Sequence, residues 1–179
     1  MTQKHYNQVK KNYIEHIEQL VKEEGGIIPH LSVFADKKNP KNKEEKRPSL
    51  IHIPLSDEFM TEEGKEKFIN KIVPELFKEI KREFTPVAIA WTSEAWMRSI
   101  NKEEIPDDWK KITKKEVVII NIESKNDQKL IMYNVKREGM QITSSGKMVD
   151  TINLELVPDV DTPTAIEGRF AGLFKKFDD

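Results

Sequence analysis

Apolar residues recur at intervals of three and four over the first part of the chain, which is the spacing of one helix face. They are Tyr6, Val9, Tyr13, Ile14, Ile17, Leu20 and Val21. This pattern predicts an amphipathic helix over Thr2–Glu24, with Gly25 and Gly26 after it as a C-terminal stop.

A second helical stripe is broader and lies opposite a row of lysines. Its apolar members are Phe68, Ile69, Ile72, Val73, Leu76, Phe77, Ile80 and Phe84. We expect a long helix over about 62–84, capped by Thr61 and lying on a sheet, with a kink where Pro74 lacks a backbone donor.

The segment after this helix, Pro86–Arg98, reads PVAIAWTSEAWMR and has the composition of an interior strand. Side chains on a strand alternate between its two faces. One face is therefore bulky, and the other begins with small residues and continues with polar and aromatic ones. The second face consists of Ala88, Ala90, Thr92, Glu94 and Trp96.

The remaining apolar runs are short and extended in character. Ile27–Asp36 and Ser49–Leu55 predict two strands joined by a mobile charged loop over 37–48. The later strands are expected at Glu116–Glu123, Lys129–Arg137, Met140–Thr143 and Lys147–Val157. A short C-terminal helix is expected over Ala165–Phe177. The prediction is therefore a single α+β domain over residues 1–179, with a mainly antiparallel sheet and helices at both ends.

Composition narrows the possible functions mainly by exclusion. The 179 residues carry a formal net charge of -1, which does not favour a nucleic-acid or membrane-surface protein. No cysteine is present, so disulfides, thiolate nucleophiles and cysteine zinc sites are excluded. The absence of a long apolar run predicts a soluble protein, with the cytoplasm as its default location and no membrane partner.

The small-residue face of the central strand is the favoured ligand surface. Small residues let either a packed helix or a ligand come close, and a buried Glu94 needs a partner. Trp96 and Arg98 follow at two-residue steps, so Thr92, Glu94, Trp96 and Arg98 are candidate ligand-binding residues. The alternative for Glu94 and Arg98 is a structural ion pair that ends the strand.

Two histidines form a second candidate group. If the first two strands form a hairpin, His30 and His52 share one sheet face, with His52 opposite or diagonal to Ser32. Together with Glu94 they would suit a hydrolase, either without a metal ion or with one held by imidazole and carboxylate ligands. This is an alternative function, because the grouping depends on an assumed register.

No complete catalytic, cofactor or metal motif is found in the sequence. Phosphate loops, dinucleotide fingerprints and His-Glu-x-x-His motifs are missing, and Asp159-x-Asp161 lacks the later ligands of a calcium loop. We therefore predict no catalytic residues, no cofactor and no metal, and regard nucleic-acid binding as disfavoured.

One segment resembles a known family. Ser93-Glu94-Ala95-Trp96-Met97, the Val- and Ile-rich strand Glu116–Glu123 and the late Gly168-Arg169-Phe170 are similar to an uncharacterised family of bacterial and bacteriophage proteins. The resemblance covers roughly residues 28–175. It implies a phage or bacterial origin and no established activity.

These observations predict a non-enzymatic binding or accessory protein that binds a host protein or sequesters a small signalling ligand. A homo-oligomeric structural protein is a further alternative, because Val117–Ile122 is apolar on both faces and the C-terminal segment is rich in phenylalanine.

Overall fold

The computed structural model describes residues 2–42, 49–55, 61–97, 108, 111–157 and 174. Several sequence predictions fall outside these residues: Arg98, most of the C-terminal helix, and positions 43–48 of the charged loop. Within the described ranges the chain is a mixed α and β structure, and the predicted antiparallel sheet is confirmed.

Helix α1 spans Gln3–Glu24 and is bounded at both ends by the expected residue types. The Thr2 side chain accepts a hydrogen bond from the His5 amide, and Gly25 ends the helix with a φ of 72°. A side chain at Gly25 would also collide with Val149, since an added Cβ would lie 2.7 Å from the Val149 Cβ. Glycine is therefore required here for two reasons.

The second helical region begins with α2 (Glu62–Lys67), passes through a π-helical turn (Phe68–Ile72) and continues as α3 (Val73–Glu83). The irregular turn ends two residues before Pro74, the residue that has no amide to donate. The helix ends one residue earlier than predicted, because Phe84 already has an extended backbone and opens the next strand.

Six strands form one sheet in the order β2-β1-β3-β4-β5-β6, and every neighbouring pair is antiparallel. Their bounds are β1 His30–Lys37, β2 Ser49–Pro54, β3 Phe84–Met97, β4 Lys115–Ser124, β5 Gln128–Ile142 and β6 Met148–Leu156.

The two strands predicted at Lys129–Arg137 and Met140–Thr143 are one long strand in the structure. β5 runs through both, and its pairing with β6 shifts register between Arg137 and Met140. Gly139 lies at this irregularity with a φ of 71°. A left-handed residue inside a strand is typical of a β-bulge. In the sequence pattern, this bulge gave the impression that one strand ended and another began.

Each face of the sheet carries its own core. On one face, α1 contributes Tyr13, Ile17 and Val21 to a cluster with residues from β1, β3, β4 and β5. On the other face, the second helical region packs Phe68, Val73 and Phe77 against β1, β2 and β3. No helix in the described ranges is long and apolar enough to span a membrane.

Candidate functional site

The small-residue face of β3 lies under α1. Ala88 and Ala90 are fully buried in the α1 core, so the helix occupies the space that these small residues leave. The sequence allowed either a packed helix or a ligand on this surface, and in the structure it is the helix that covers it. A ligand could reach this part of the face only if α1 moved away.

Tyr13 of α1 connects this face to the predicted histidines. Its hydroxyl lies 2.8 Å from Thr92 Oγ1, 3.3 Å from Ser32 Oγ and 3.2 Å from His30 Nε2. Register explains the meeting, because His30 pairs with Thr92 across β1 and β3. Tyr13, Ser32 and Thr92 are all buried, which makes this a closed hydroxyl cluster.

The predicted approach of the two histidines is confirmed. His52 pairs directly with Ser32 across β1 and β2, and its Nδ1 lies 2.9 Å from Ser32 Oγ. The His30 and His52 ring centroids are 5.6 Å apart in an edge-to-face arrangement. His52 is exposed and His30 half-buried, so the cluster reaches solvent through these rings.

The hydrogen bonds assign the proton on neutral His30. Its Nδ1 lies 2.9 Å from the Ile28 carbonyl oxygen, which can only accept, so Nδ1 donates. Nε2 of the neutral ring is then an acceptor, and it shares the single Tyr13 hydroxyl proton with Ser32 Oγ. Close polar contacts therefore connect His30 through Tyr13 and Ser32 to His52.

Both histidines are biased toward the neutral form. Burial lowers the pKa of His30, and the nearby rings of His52 and His16 lower it further. Burial also lowers the pKa of His52, with His16 as a second cause. Burial raises the pKa of the Tyr13 phenol, which consequently remains a neutral hydroxyl.

Glu94 closes the junction between α1 and β1. Its Oε1 accepts a hydrogen bond of 2.8 Å from the Ile27 amide, directly after the two glycines that end α1. Arg98, the cation expected beside it, lies outside the described residues. Among the residues described, a cation that interacts electrostatically with Glu94 is Arg137 of β5.

Arg137 joins four parts of the molecule. Its Nε and Nη2 donate to the two carboxylate oxygens of Glu116, at 3.0 and 2.5 Å. Its Nη1 donates to the Gly25 carbonyl at 3.0 Å and to Asp150 at 2.9 Å. These bonds, with Glu116 as the largest cause, raise the pKa of the guanidinium.

Trp96, the last of the predicted site residues on this face, is 66% exposed. It lies beside an open groove of about 600 Å³ at the beginning of β4. The groove is lined by Trp96, Lys114, Lys115, Glu116, Asn134, Val135, Lys136, Arg137 and Glu155.

The structure thus divides the predicted site residues between two places. His30 and Thr92 contact Tyr13, and His52 joins them through Ser32. Trp96 borders the groove, and Glu94 lies on β3 between the two places. Sequence reasoning took Tyr13 as part of an apolar stripe and Arg137 as a strand end. Their partners are far away in sequence, and no local pattern marks such contacts.

A metal centre is not evident in the part of the chain that the structure describes, where no three His, Asp or Glu side chains are arranged to hold an ion. Comparison of the chain with protein-family models, with curated proteins and with solved structures found no match in any of the three.

Proposed function

We propose that the chain is a non-enzymatic binding protein that takes a small ligand at the Trp96 groove. The observation that carries this proposal is the exposure of Trp96. The polar side chains around Tyr13, in contrast, are hydrogen-bonded to one another. Large aromatic side chains contribute strongly to recognition because they offer much rigid apolar surface.

The hydroxyl groups are poorly placed for catalysis. Ser32 and Thr92 are 0% exposed beneath Tyr13, whereas a nucleophile must reach its substrate. Both nitrogens of His30 have partners, and Glu94 holds the Ile27 amide. These side chains therefore support the packing of α1 on the sheet better than they support chemistry.

A hydrolase remains the second candidate, and the Ser32–His52 pair at 2.9 Å is the observation that favours it. A histidine in this position can activate a serine if Tyr13 moves aside. Release of p-nitrophenol from its acetyl ester, abolished by both Ser32→Ala and His52→Gln, would support this candidate. Equal release by the variants would remove it.

Two further parts of the proposal rest on the sequence. A bacterial or phage source and a cytoplasmic location are supported by the resemblance at Ser93–Met97 and by the lack of cysteine. A host protein or a second copy of the chain is an alternative partner. The exposed side chains of Met140, Ile142 and Met148 on the β5–β6 hairpin favour such contacts, and sedimentation would detect self-association.

The binding function is tested by ligand capture. The purified protein is incubated with pooled cell extracts, washed and examined by mass spectrometry for retained small molecules. We expect retention by the native chain and by Ile28→Ala, which removes an exposed apolar side chain outside the groove lining. Trp96→Ala should retain none. No retained molecule in any extract would overturn the proposal.

A further inference from the structure

The groove beside Trp96 lies at the level where β3 ends and β4 begins, while the next strand continues. Met97, the last residue of β3, pairs with Lys115, the first residue of β4, whereas β5 continues to Ile142. Trp96 pairs with Glu116, one residue inside this end of the two strands. The indole therefore lies beside the β5 residues that line the groove.

The charges at this groove are positive in excess. Arg137 uses its donors on Glu116, Asp150 and the Gly25 carbonyl, and Lys136 pairs with Glu155 at 2.5 Å. Lys114 and Lys115 are exposed and have no ion-pair partner among the described residues. Two ammonium groups are thus free to meet an anion at the groove.

We propose that the groove binds a single nucleotide, with the base against Trp96 and the phosphate near Lys114 and Lys115. Indole faces bind bases by stacking, and lysine binds phosphate as a point charge. This inference rests on the proposed binding function and adds the class of ligand.

The size of the groove and the charge of the chain favour one nucleotide over a polynucleotide. About 600 Å³ lies within the range of small-molecule sites. A polynucleotide surface would need a basic stripe, whereas the whole chain has a formal net charge of -1. Two free lysines are enough for one phosphate group.

Calorimetry tests the ligand class with defined probes. The native chain is titrated with AMP, GMP, CMP and UMP, with the corresponding nucleosides, with inorganic phosphate and with a short single-stranded oligonucleotide. We expect at least one mononucleotide to bind more tightly than its nucleoside and than phosphate, and to weaken as salt rises. Binding of the oligonucleotide without any mononucleotide would overturn the proposal.

Variants then locate the site. Trp96→Ala should weaken nucleotide binding by roughly tenfold or more, with Trp96→Phe between the two. The double variant Lys114→Ala/Lys115→Ala should bind the nucleotide no better than the nucleoside. Lys125→Ala removes an exposed lysine from the β4–β5 turn, at the other end of β4, and should bind normally.

The results separate the ligand class from the binding function. A neutral metabolite captured from extracts, with affinity unchanged by the two lysine substitutions, would overturn the nucleotide proposal and leave the binding function standing. Nucleotide binding that is unaffected by Trp96→Ala would show that the groove is the wrong site. Melting temperatures of the variants verify that each remains folded.

Discussion

Thr92 and Trp96 lie on one strand and one face, only four residues apart, and their surroundings are opposite. Thr92 is 0% exposed and bonded to Tyr13, whereas Trp96 is 66% exposed beside an open groove. We call the first region the closed end of β3 and the second the open end. At the closed end the polar side chains are buried and hydrogen-bonded to one another. The open end has polar and apolar groups that a partner can contact.

The difference arises from where α1 ends. Tyr13, in the middle of α1, contacts β3 at Thr92, and Gly25 at the end of the helix turns the chain toward β1. Glu94 fixes that turn through the Ile27 amide, and Arg137 anchors the Gly25 carbonyl to Glu116 and Asp150. The segment that follows α1 therefore reaches β3 at Glu94, two residues before the exposed Trp96.

The largest contrast between the two ends should come from truncating one apolar side chain at each. Ile17 is fully buried in α1, so Ile17→Ala should lower the free energy of unfolding by about 2–5 kcal/mol. Trp96→Ala removes a larger side chain from the surface and should change it by less than about 0.5 kcal/mol. Urea denaturation measures the free energy of unfolding of each variant. A similar loss of stability in the two would contradict the division between a closed and an open end.

Removing the Tyr13 hydroxyl tests the closed end more finely. Tyr13→Phe keeps the ring but leaves His30 Nε2, Ser32 and Thr92 without their shared partner. We expect a loss of about 1–3 kcal/mol, the usual cost of an unsatisfied buried polar group. Tyr6→Phe is the comparison near the other end of α1, where the hydroxyl makes a long contact of 3.5 Å to Asp127 and interacts with Ser124. Equal losses would count against the cluster as a unit.

Glu94 tests the boundary between the two ends. Glu94→Gln keeps the shape of the side chain but removes the charge that faces the Ile27 amide and Arg137. We expect the free energy of unfolding to fall by about 1–2 kcal/mol, toward the lower part of the range for charged hydrogen bonds, because the amide oxygen can still accept. Ligand retention should survive. Lost retention with unchanged stability would instead make Glu94 a binding residue.

The sequence predicted the parts of this comparison that depend on local periodicity. The stripe of α1, the strand character of 86–97 and the facing of His52 and Ser32 all follow from side-chain spacing, and the structure contains each of them. The bulge at Gly139 was less accessible, because a break in the pattern can end a strand or merely interrupt it.

What the sequence left open was which of the two possible occupants covers the small-residue face. Ala88 and Ala90 permit a helix and a ligand equally, and only the docking of Tyr13 from a distant segment decides between them. The described contacts of Glu94 were similarly out of reach. The Ile27 amide and Arg137 of β5 both come from distant segments, and long-range contacts leave no local signal. The expected pair with Arg98 stays a prediction, because Arg98 lies outside the described residues.

The smallest expected effect is a loss of stability in mild acid that belongs to the closed end alone. His30 and His52 face each other, His16 of α1 and the neutral Tyr13, and burial lowers the pKa of both rings below their ordinary value of 6.5. The unfolded chain therefore binds more protons as the pH falls through this value. The contribution of the two neutral rings to the free energy of unfolding is complete above pH 6.5 and decreases as the pH falls toward the folded-state pKa values.

Urea denaturation across about pH 5 to 7 measures this loss. The free energy of unfolding should decline less steeply with falling pH for the double variant His30→Gln/His52→Gln than for the native chain. His5→Gln, an exposed histidine in the first turn of α1, should leave the native slope unchanged. An identical slope in all three proteins would mean that the histidine cluster does not contribute to the acid sensitivity of the fold.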